Sequence, residues 1–221
     1  MTEEQLSRES NLWLADTLWR LGAVQFGDFT LGRTTVHSPI YVNLRLLIAH
    51  PTALARAADI VLTELKARQA MRHPQIDPFD VVCGVPFGGL LVAEAFSLGS
   101  KMPLIYLHPR KDDLDSDVEG IYHPSQTAVI MDDLITGGGS IILTANRLRD
   151  EGLFVRDAVV LFDRQSGGGA KLAEHGIRLV SVLTFEVLLT YLRSSGKIGD
   201  DWYKKSMAFF EENRGRDLDA G

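Results

Sequence analysis

Two adjacent carboxylates stand just before a run of glycines in the middle of this 221-residue chain. Asp132 and Asp133 follow the apolar run Ala128–Met131, and the loop from Thr136 to Ser140 begins after Leu134 and Ile135. Glycines lack a Cβ atom, so the backbone N–H groups of such a loop can close around an anion. The helix expected after Ser140 adds its unpaired N–H groups and the positive end of its dipole. The pattern predicts a phosphate-binding loop.

The acidic pair limits what that ligand can be. Two carboxylates beside a phosphate repel it, unless they face hydroxyl groups or a bridging Mg²⁺ ion. A ligand that carries a phosphate, vicinal hydroxyls and a metal therefore fits Asp132 and Asp133. The alternative is an acidic turn that only caps the next helix. Two acids at a strand end, followed by Gly-Gly-Gly-Ser and a helix, favour the functional interpretation.

Two familiar nucleotide-binding motifs are missing. No lysine follows the glycines, which excludes the P-loop of nucleoside triphosphate hydrolases. No G-x-G-x-x-G follows the first apolar run, Asp80–Cys83, which argues against a dinucleotide-binding oxidoreductase.

The elements that would position these residues alternate between short apolar runs and helical patterns. Runs that are apolar on both faces, with helices between them, indicate a parallel sheet covered on both sides. Ligands bind such sheets at the carboxyl ends of the strands. We therefore predict an α/β fold, a doubly wound parallel sheet, over residues 52–184. The runs are Asp80–Cys83, Leu104–Leu107, Ala128–Met131, Ala158–Phe162 and Leu179–Leu183.

The segments 1–51 and 185–221 flank this core. Residues Glu3–Leu21 and Asp201–Asn213 both have an amphipathic helical pattern, and the second is rich in aromatic residues. We predict that the N-terminal helix and hood segment, together with the C-terminal helical segment, form a small hood over the ligand-binding edge of the sheet.

Composition excludes several classes of protein. The chain is 45% apolar and 24% charged, which is typical of a globular domain and not of a disordered chain or a coiled coil. A net charge of −6 argues against a broad nucleic-acid-binding surface. An acidic N-terminus and the Gly and Pro residues of the weakly charged run 81–100 argue against a secretory signal and a membrane span. The single cysteine, Cys83, cannot form an internal disulfide, so a cytoplasmic location is expected.

Residues 128–140 resemble the signature with which type I phosphoribosyltransferases bind phosphoribosyl pyrophosphate (PRPP). Further motifs resemble the orotate phosphoribosyltransferase branch of that family, from about Leu18 to the C-terminal helix. They are Phe26–Leu31, Ser38–Tyr41, Cys83–Phe87, Val118–Gly120 and Phe162–Gln165. The resemblance implies transfer of the phosphoribosyl group from PRPP to orotate in pyrimidine nucleotide synthesis, giving orotidine 5′-monophosphate and pyrophosphate. It also implies Mg²⁺ as cofactor, brought by PRPP, and a homodimer.

The resemblance gives roles to the residues around the glycine loop. Asp132 and Asp133 would hold the ribose 2′ and 3′ hydroxyls and, with Lys111, are the catalytic candidates. The 5′-phosphate would bind the loop formed by Thr136, Gly137, Gly138, Gly139 and Ser140. The pyrophosphate group would contact Val85, Pro86, Phe87, Arg110 and Lys111.

The resemblance also implies a base-binding set. Arg164 matches the arginine that pairs with the orotate carboxylate, a role that suits a planar guanidinium. The alternative is that Arg164 simply pairs with the neighbouring Asp163. Tyr41 and Val42 match hood positions that lie against the base. Arg33 stands near the place of a family lysine in the hood and would replace it.

One loop departs from the orotate pattern. Leu114 stands where the family has a lysine, and Ser116 stands where it has a histidine or tyrosine. Five carboxylates occupy residues 112–119, next to the expected site of a polyanion. This departure leaves two alternatives open beside an orotate-specific enzyme: a non-catalytic relative that binds PRPP or a nucleotide as a regulatory signal, and a phosphoribosyltransferase for another base.

Overall fold

The computed structural model describes residues 3–31, 35–108 and 117–213, with side chains from residue 11 onward except at 31, 35 and 36. The α-helices are α1 (Glu3–Arg20), α2 (Pro51–Gln69), α3 (Gly88–Ser100), α4 (Gly139–Asp150), α5 (Gly168–Glu174), α6 (Phe185–Ser194) and α7 (Asp200–Asn213). The strands are β1 (Val24–Leu31), β2 (Thr35–Val42), β3 (Val81–Gly84), β4 (Leu104–Leu107), β5 (Val118–Glu119), β6 (Thr127–Ile135), β7 (Phe154–Asp163) and β8 (Arg178–Thr184). A 3-10 helix spans Leu44–Ala49.

The predicted doubly wound sheet is confirmed. Six strands pair in the order β5-β4-β3-β6-β7-β8, and all neighbours are parallel except β5, which runs antiparallel to β4 at one edge. The chain moves outward from β3 to β4 and then returns to the other side of β3 with β6. The order therefore reverses between β3 and β6, which is where an open α/β sheet forms its ligand crevice.

Side chains of the central strands alternate between two apolar layers. Cys83 and Ile130 pack on one face with Ile141 of α4, whereas Val82 and Val129 pack on the other face with residues of α2 and α3. Both faces are buried, so these strands read as continuous apolar runs in the sequence. This is why short runs without polar alternation predicted the correct strands.

The flanking segments share the core of the sheet. Strands β1 and β2 form an antiparallel hairpin, and α7 packs against β2. Leu18 of α1 and Phe210 of α7 belong to the same apolar cluster as Val129 and Val159 of the sheet. The flanking segments and the sheet therefore share one continuous core.

Two further observations concern the chain as a whole. Within the described ranges, no helix has both the length and the apolar character needed to cross a bilayer. Cys83 is fully buried in β3, and burial raises the pKa of its thiol to about 12. As the sequence indicated, this cysteine is part of the core.

An ion cluster ties together the amino edge of the sheet, opposite the ligand crevice. Asp157 of β7 is 3% exposed and binds Arg178 of β8 through two hydrogen bonds, of 2.7 and 2.8 Å. It also accepts a hydrogen bond from the backbone N–H of Asp77, at 3.2 Å. Hydrogen bonds from Arg156 and Arg178 lower the pKa of Asp77. The cluster therefore links the loop before β3 to β7 and β8.

We expect Asp157→Ala to lower the free energy of unfolding by about 2 kcal/mol, because charge-assisted hydrogen bonds are lost and the partly buried N–H of Asp77 loses its acceptor. Asp200→Ala is the control, since the Asp200–Arg193 pair lies at the surface with the Asp200 side chain 60% exposed. Its loss should change stability by less than about 1 kcal/mol. Urea titration of both variants tests the difference, and equal losses would contradict it.

Candidate active site

The acidic pair lies near the carboxyl end of β6, at the carboxyl edge of the sheet. The Asp132 side chain is buried and that of Asp133 is partly buried. The backbone N–H of Asp133 donates to Asp132 Oδ1 at 2.8 Å, and the N–H of Leu134 donates to Asp133 Oδ1 at 2.9 Å. The strand backbone thus fixes the orientation of both carboxylates.

The first turn of α3 lies directly against this pair. A Cβ atom added at Gly89 would lie 2.6 Å from the Cα of Asp132, and one added at Gly88 would collide with the Asp133 carboxylate. Only glycine permits this approach, because any side chain would push the helix away from β6. Sequence reasoning did not single out Gly88 and Gly89 and missed this role.

We expect Gly89→Ala to lower stability by about 2 kcal/mol, because the added methyl group meets backbone atoms that cannot yield without displacing Asp132. Gly99→Ala is a matched control in the same helix. Its Cβ would lie 3.7 Å from its nearest neighbour, an ordinary contact, so alanine should preserve stability or raise it by up to about 1 kcal/mol. Thermal melting of the two variants measures the contrast, and a harmless Gly89→Ala would disprove the close packing.

The loop between β3 and α3 carries the residues predicted to contact pyrophosphate. The N–H of Val85 donates to the Met131 carbonyl at 2.9 Å, which places the loop beside the end of β6. The peptide bond between Pro86 and Phe87 is cis, and the Phe87 side chain is 71% exposed. The structure therefore brings Val85–Phe87 and the acidic pair to the same crevice.

The glycine loop passes from β6 into α4. Gly138 has φ +86°, a left-handed conformation that favours glycine, and it precedes a helix that has no capping side chain. A helix that begins in this way presents its first-turn N–H groups to an anion. A Cβ atom at Gly168 would collide with the carbonyl of Thr136, so the start of α5 supports the loop from behind. Gly168 is another residue that sequence reasoning missed.

Charge within the crevice is unbalanced. Burial raises the pKa of Asp132 well above its usual range, and the charge of Asp133 raises it further. The positive charge of Arg45, in the 3-10 helix, opposes this increase. Arg45 is exposed, and no motif in the sequence singles it out. Ionising the acidic pair is therefore costly until a cation or a set of hydroxyl donors binds it.

Arg164 follows β7, and its backbone N–H donates to the Ile135 carbonyl at 3.1 Å. Its side chain lines a narrow pocket with Ile40, Ser166, Phe185, Phe209, Phe210 and Asn213. Burial lowers the pKa of Arg164. In the part of the chain that the structure describes, no carboxylate pairs with it. Asp163 instead accepts a hydrogen bond from the N–H of Gln165 at 2.6 Å, so the alternative of an Asp163–Arg164 pair is wrong.

Comparison with known proteins identifies the family of this chain, although no protein-family model matches it. Over 190 residues it is 37% identical to the orotate phosphoribosyltransferase of Chlamydia caviae, and the match covers 83% of this chain and 86% of that relative. This chain belongs to the orotate phosphoribosyltransferase family. The resemblance stated from the motifs is thus confirmed.

Two further relatives of the family match most of this chain but differ in how much of their own length it covers. It is 34% identical over 202 residues to the uridine 5′-monophosphate synthase of Bos taurus, with 90% of this chain but 40% of that relative covered. The chain thus spans less than half of that longer protein. The crystal structure of orotate phosphoribosyltransferase from Aeropyrum pernix superposes with a TM-score of 0.67 at 35% identity, covering 81% of this chain and 98% of that one.

The hood of this family member holds the remaining base-binding candidates. Tyr41 and Val42 lie in β2, where the Tyr41 ring packs 5.7 Å from the ring of Phe29. Alternate residues of a strand point to opposite faces, and it is Ile40 that lines the Arg164 pocket. The structure therefore brings the strand of Tyr41 to Arg164 but places the Tyr41 ring against the hairpin.

Several predicted phosphate contacts lie outside the described residues. They are Arg110 and Lys111; the base-binding candidate Arg33 and the divergent positions Leu114 and Ser116 also lie outside the described residues. Asp117, the first described acid of the acidic loop, forms an ion pair of 3.5 Å with Arg147 of α4. Its charge is therefore partly balanced by α4.

Asp132 and Asp133 are the candidate contacts for a metal ion. In residues 3–31, 35–108 and 117–213, no three His, Cys, Asp or Glu side chains form a group that could hold a metal. Asp132 and Asp133 offer oxygen ligands, which Mg²⁺ prefers, but an octahedral ion needs further donors from water and phosphate. The crevice fits a Mg²⁺ ion already bound to a phosphorylated ligand.

Proposed function

We propose that this chain transfers the phosphoribosyl group of PRPP to orotate. The observation that carries the proposal is Arg164, a half-buried guanidinium that lines a pocket and has no carboxylate partner in the described structure. A cation partly removed from water without an anion is unfavourable on its own. An anionic substrate supplies the missing partner, and a carboxylate binds guanidinium through two parallel hydrogen bonds. Orotate carries such a carboxylate on a flat ring.

The acidic pair and the glycine loop fit the other substrate. In the proposed complex, the 5′-phosphate binds the loop from Thr136 to Ser140, and the carboxylates of Asp132 and Asp133 accept hydrogen bonds from the ribose hydroxyls. The pyrophosphate then lies towards Val85–Phe87, at the end of β3. When bound, Mg²⁺ supplies positive charge that offsets the charge developing on the departing pyrophosphate.

The reaction exchanges one bond for another at the ribose C1 atom. The C1–O bond to pyrophosphate breaks and its electron pair leaves with the pyrophosphate, while a ring nitrogen of orotate forms a bond to C1 and loses its proton. The protein contributes by holding both substrates in line and by stabilising negative charge. The rigid contacts of the acidic pair with the backbone suit this positioning role.

Two further features belong to the proposal. We infer a homodimer, for which the exposed apolar side chains of Leu98 and Ile121 provide surface. We also infer that the protein works in the cytoplasm, since its one cysteine is a buried thiol rather than half of a disulfide.

The test is an assay of purified protein with PRPP, Mg²⁺ and orotate, in which orotate absorbance is followed and the product is identified as orotidine 5′-monophosphate. Turnover that requires all three components supports the proposal. Folded protein that binds PRPP without forming product contradicts it and favours the regulatory alternative. Turnover with another pyrimidine base but not with orotate contradicts the assignment of orotate.

A further inference from the structure

Gln165 connects two of the elements that form the Arg164 pocket. Strands β7 and β8 are parallel and Asp163 lies opposite Thr184, so the loop after β7 and the start of α6 are neighbours at the carboxyl edge of the sheet. The backbone N–H of Glu186, in the first turn of α6, donates to Gln165 Oε1 at 3.0 Å. This hydrogen bond joins residues that are 21 positions apart in the chain. It therefore bridges the loop that carries Arg164 and the helix.

The same turn of α6 forms a wall of the Arg164 pocket. Phe185, the first residue of the helix, lines the pocket together with Arg164. Its ring stacks on that of Phe210 of α7, another lining residue, with ring centres 5.2 Å apart. The first N–H groups of a helix have no partner within the helix, so that of Glu186 needs an acceptor from outside. Gln165 supplies this acceptor and thereby fixes the wall relative to Arg164.

The backbone of Gln165 adopts a conformation that is rare for this residue type. Its φ is +55°, in the left-handed region, which residues other than glycine, Asn and Asp seldom enter. Such a conformation persists only where the surrounding contacts hold it. One of these contacts is the hydrogen bond from the N–H of Gln165 to Asp163 Oδ1, at 2.6 Å, and another is the bridge to α6. Both chain neighbours of Arg164 are therefore held by hydrogen bonds.

We propose that Gln165 is a positioning residue for Arg164. The inference rests on the proposed function, in which the Arg164 guanidinium binds the orotate carboxylate. Two parallel hydrogen bonds to a carboxylate require the guanidinium to point in a narrow range of directions. By joining the Arg164 loop to α6, Gln165 holds the guanidinium towards the pocket before orotate binds, so that less ordering is needed on binding. The carboxylate itself contacts Arg164 and not Gln165.

The first test is made by NMR on the free, full-length protein. Relaxation of the ¹⁵N nucleus in the Arg164 Nε–H group reports how rigidly the guanidinium is held on the picosecond-to-nanosecond timescale. Arg164→Lys identifies this signal by removing it. Gln165→Met keeps the length of the side chain but removes the acceptor. We expect it to lower the order parameter of the Arg164 Nε–H group and to speed hydrogen exchange at the Glu186 amide.

Two further variants make the comparison specific. Gln126→Met is the matched control, because Gln126 Oε1 also accepts a backbone N–H, that of His123 at 2.7 Å, but Gln126 lies just before β6 at the opposite edge of the sheet. It should leave the mobility of Arg164 unchanged. Gln165→Glu keeps an acceptor oxygen at the same reach, and a negative charge is favourable at the start of α6. It should keep Arg164 as rigid as in the parent protein.

Steady-state assays with orotate and uracil separate positioning from support of the fold. Gln165→Met should raise the KM for orotate about fivefold, the effect expected from one hydrogen bond, while the KM for PRPP and the rate with uracil stay unchanged. Gln165→Glu should restore most of the affinity for orotate, and Gln126→Met should behave like the parent protein.

Three outcomes would overturn the proposal. One is an Arg164 order parameter that is unchanged in Gln165→Met. Another is an equal change with orotate and uracil, which would show that Gln165 only supports the fold. The third is a Gln165→Glu variant as impaired as Gln165→Met. A parent protein that does not turn over orotate would contradict the proposed function alone, since the NMR comparison of the free proteins would still decide the role of Gln165.

Discussion

Replacing Asp132 and Asp133 together by asparagine is expected to lower kcat/KM for orotidine 5′-monophosphate formation by about three orders of magnitude. Each carboxylate is proposed to accept a hydrogen bond from the ribose, and charge-assisted hydrogen bonds are worth about 1.5–3 kcal/mol each. The loss should appear mainly in the kinetic constants for PRPP and not in the KM for orotate, because the base pocket around Arg164 is unchanged.

The single variant Asp132→Asn is expected to gain stability at pH 7, by about 1 kcal/mol. The folded protein holds the pKa of Asp132 above its usual value, so between about pH 4 and that raised value it binds a proton that the unfolded chain has released. Stability contributed by this group therefore falls as the pH rises through the window. Asparagine removes the penalty, so the gain should be present at pH 7 and absent below about pH 4.

Thermal melting at pH 7 and pH 4 and steady-state assays measure both effects. Asp59→Asn is the control for the substitution, because Asp59 is exposed on α2 and lies outside the crevice. It should alter neither stability nor turnover. A loss of stability in Asp132→Asn that is equal at the two pH values would show that the carboxylate is a structural partner rather than a ligand-binding group.

The second large effect is expected at Arg164. Arg164→Gln should raise the KM for orotate about 100-fold while leaving the KM for PRPP unchanged, because a two-hydrogen-bond pair with a carboxylate is lost. Arg164→Lys should restore only part of the affinity, since an ammonium group cannot reproduce the planar pair. The substitution to glutamine should not destabilise the free protein, because the half-buried guanidinium has no described carboxylate partner to lose.

Uracil provides the matched comparison, because it is the same ring without the carboxylate. Steady-state assays should show that Arg164→Gln narrows the preference for orotate over uracil, with little change in the rate for uracil. If the rates with both bases fall equally, Arg164 supports the fold of the pocket and does not recognise the carboxylate.

The elements that the sequence predicted are those whose signals are local. The strands and the Asp132–Ser140 segment follow from a run that is apolar on both faces, two acids and a glycine loop, and these appear in the structure where expected. The close approaches at Gly88, Gly89 and Gly168 could not be predicted, because each depends on a second element that lies far away in the chain. Arg45 was missed for the same reason, since its effect on Asp132 arises only when the 3-10 helix packs beside β6.

Two predictions depended on packing that residue types alone do not determine. Arg164 and Asp163 are neighbours in the chain. The Asp163 carboxylate nevertheless accepts a hydrogen bond from the backbone N–H of Gln165, whereas Arg164 lines the pocket. Tyr41 and Ile40 are also neighbours, and the strand's alternation decides that Ile40 faces Arg164. The short strand β5 was missed because two residues give no periodic pattern.

The reactivity of the Cys83 thiol can be used to measure local opening of the folded chain. It is the single thiol of the sequence and lies at the centre of the sheet, where a thiol with a pKa of about 12 is almost entirely protonated at neutral pH. Alkylating reagents attack the thiolate, and the Cys83 side chain is buried in an apolar layer with Ile130 and Ile141, so they can react only when this layer opens. The labelling rate of the unmodified protein therefore reports how often the layer between β3 and α4 opens, and slowing of that rate by a substrate would record binding without any attached dye.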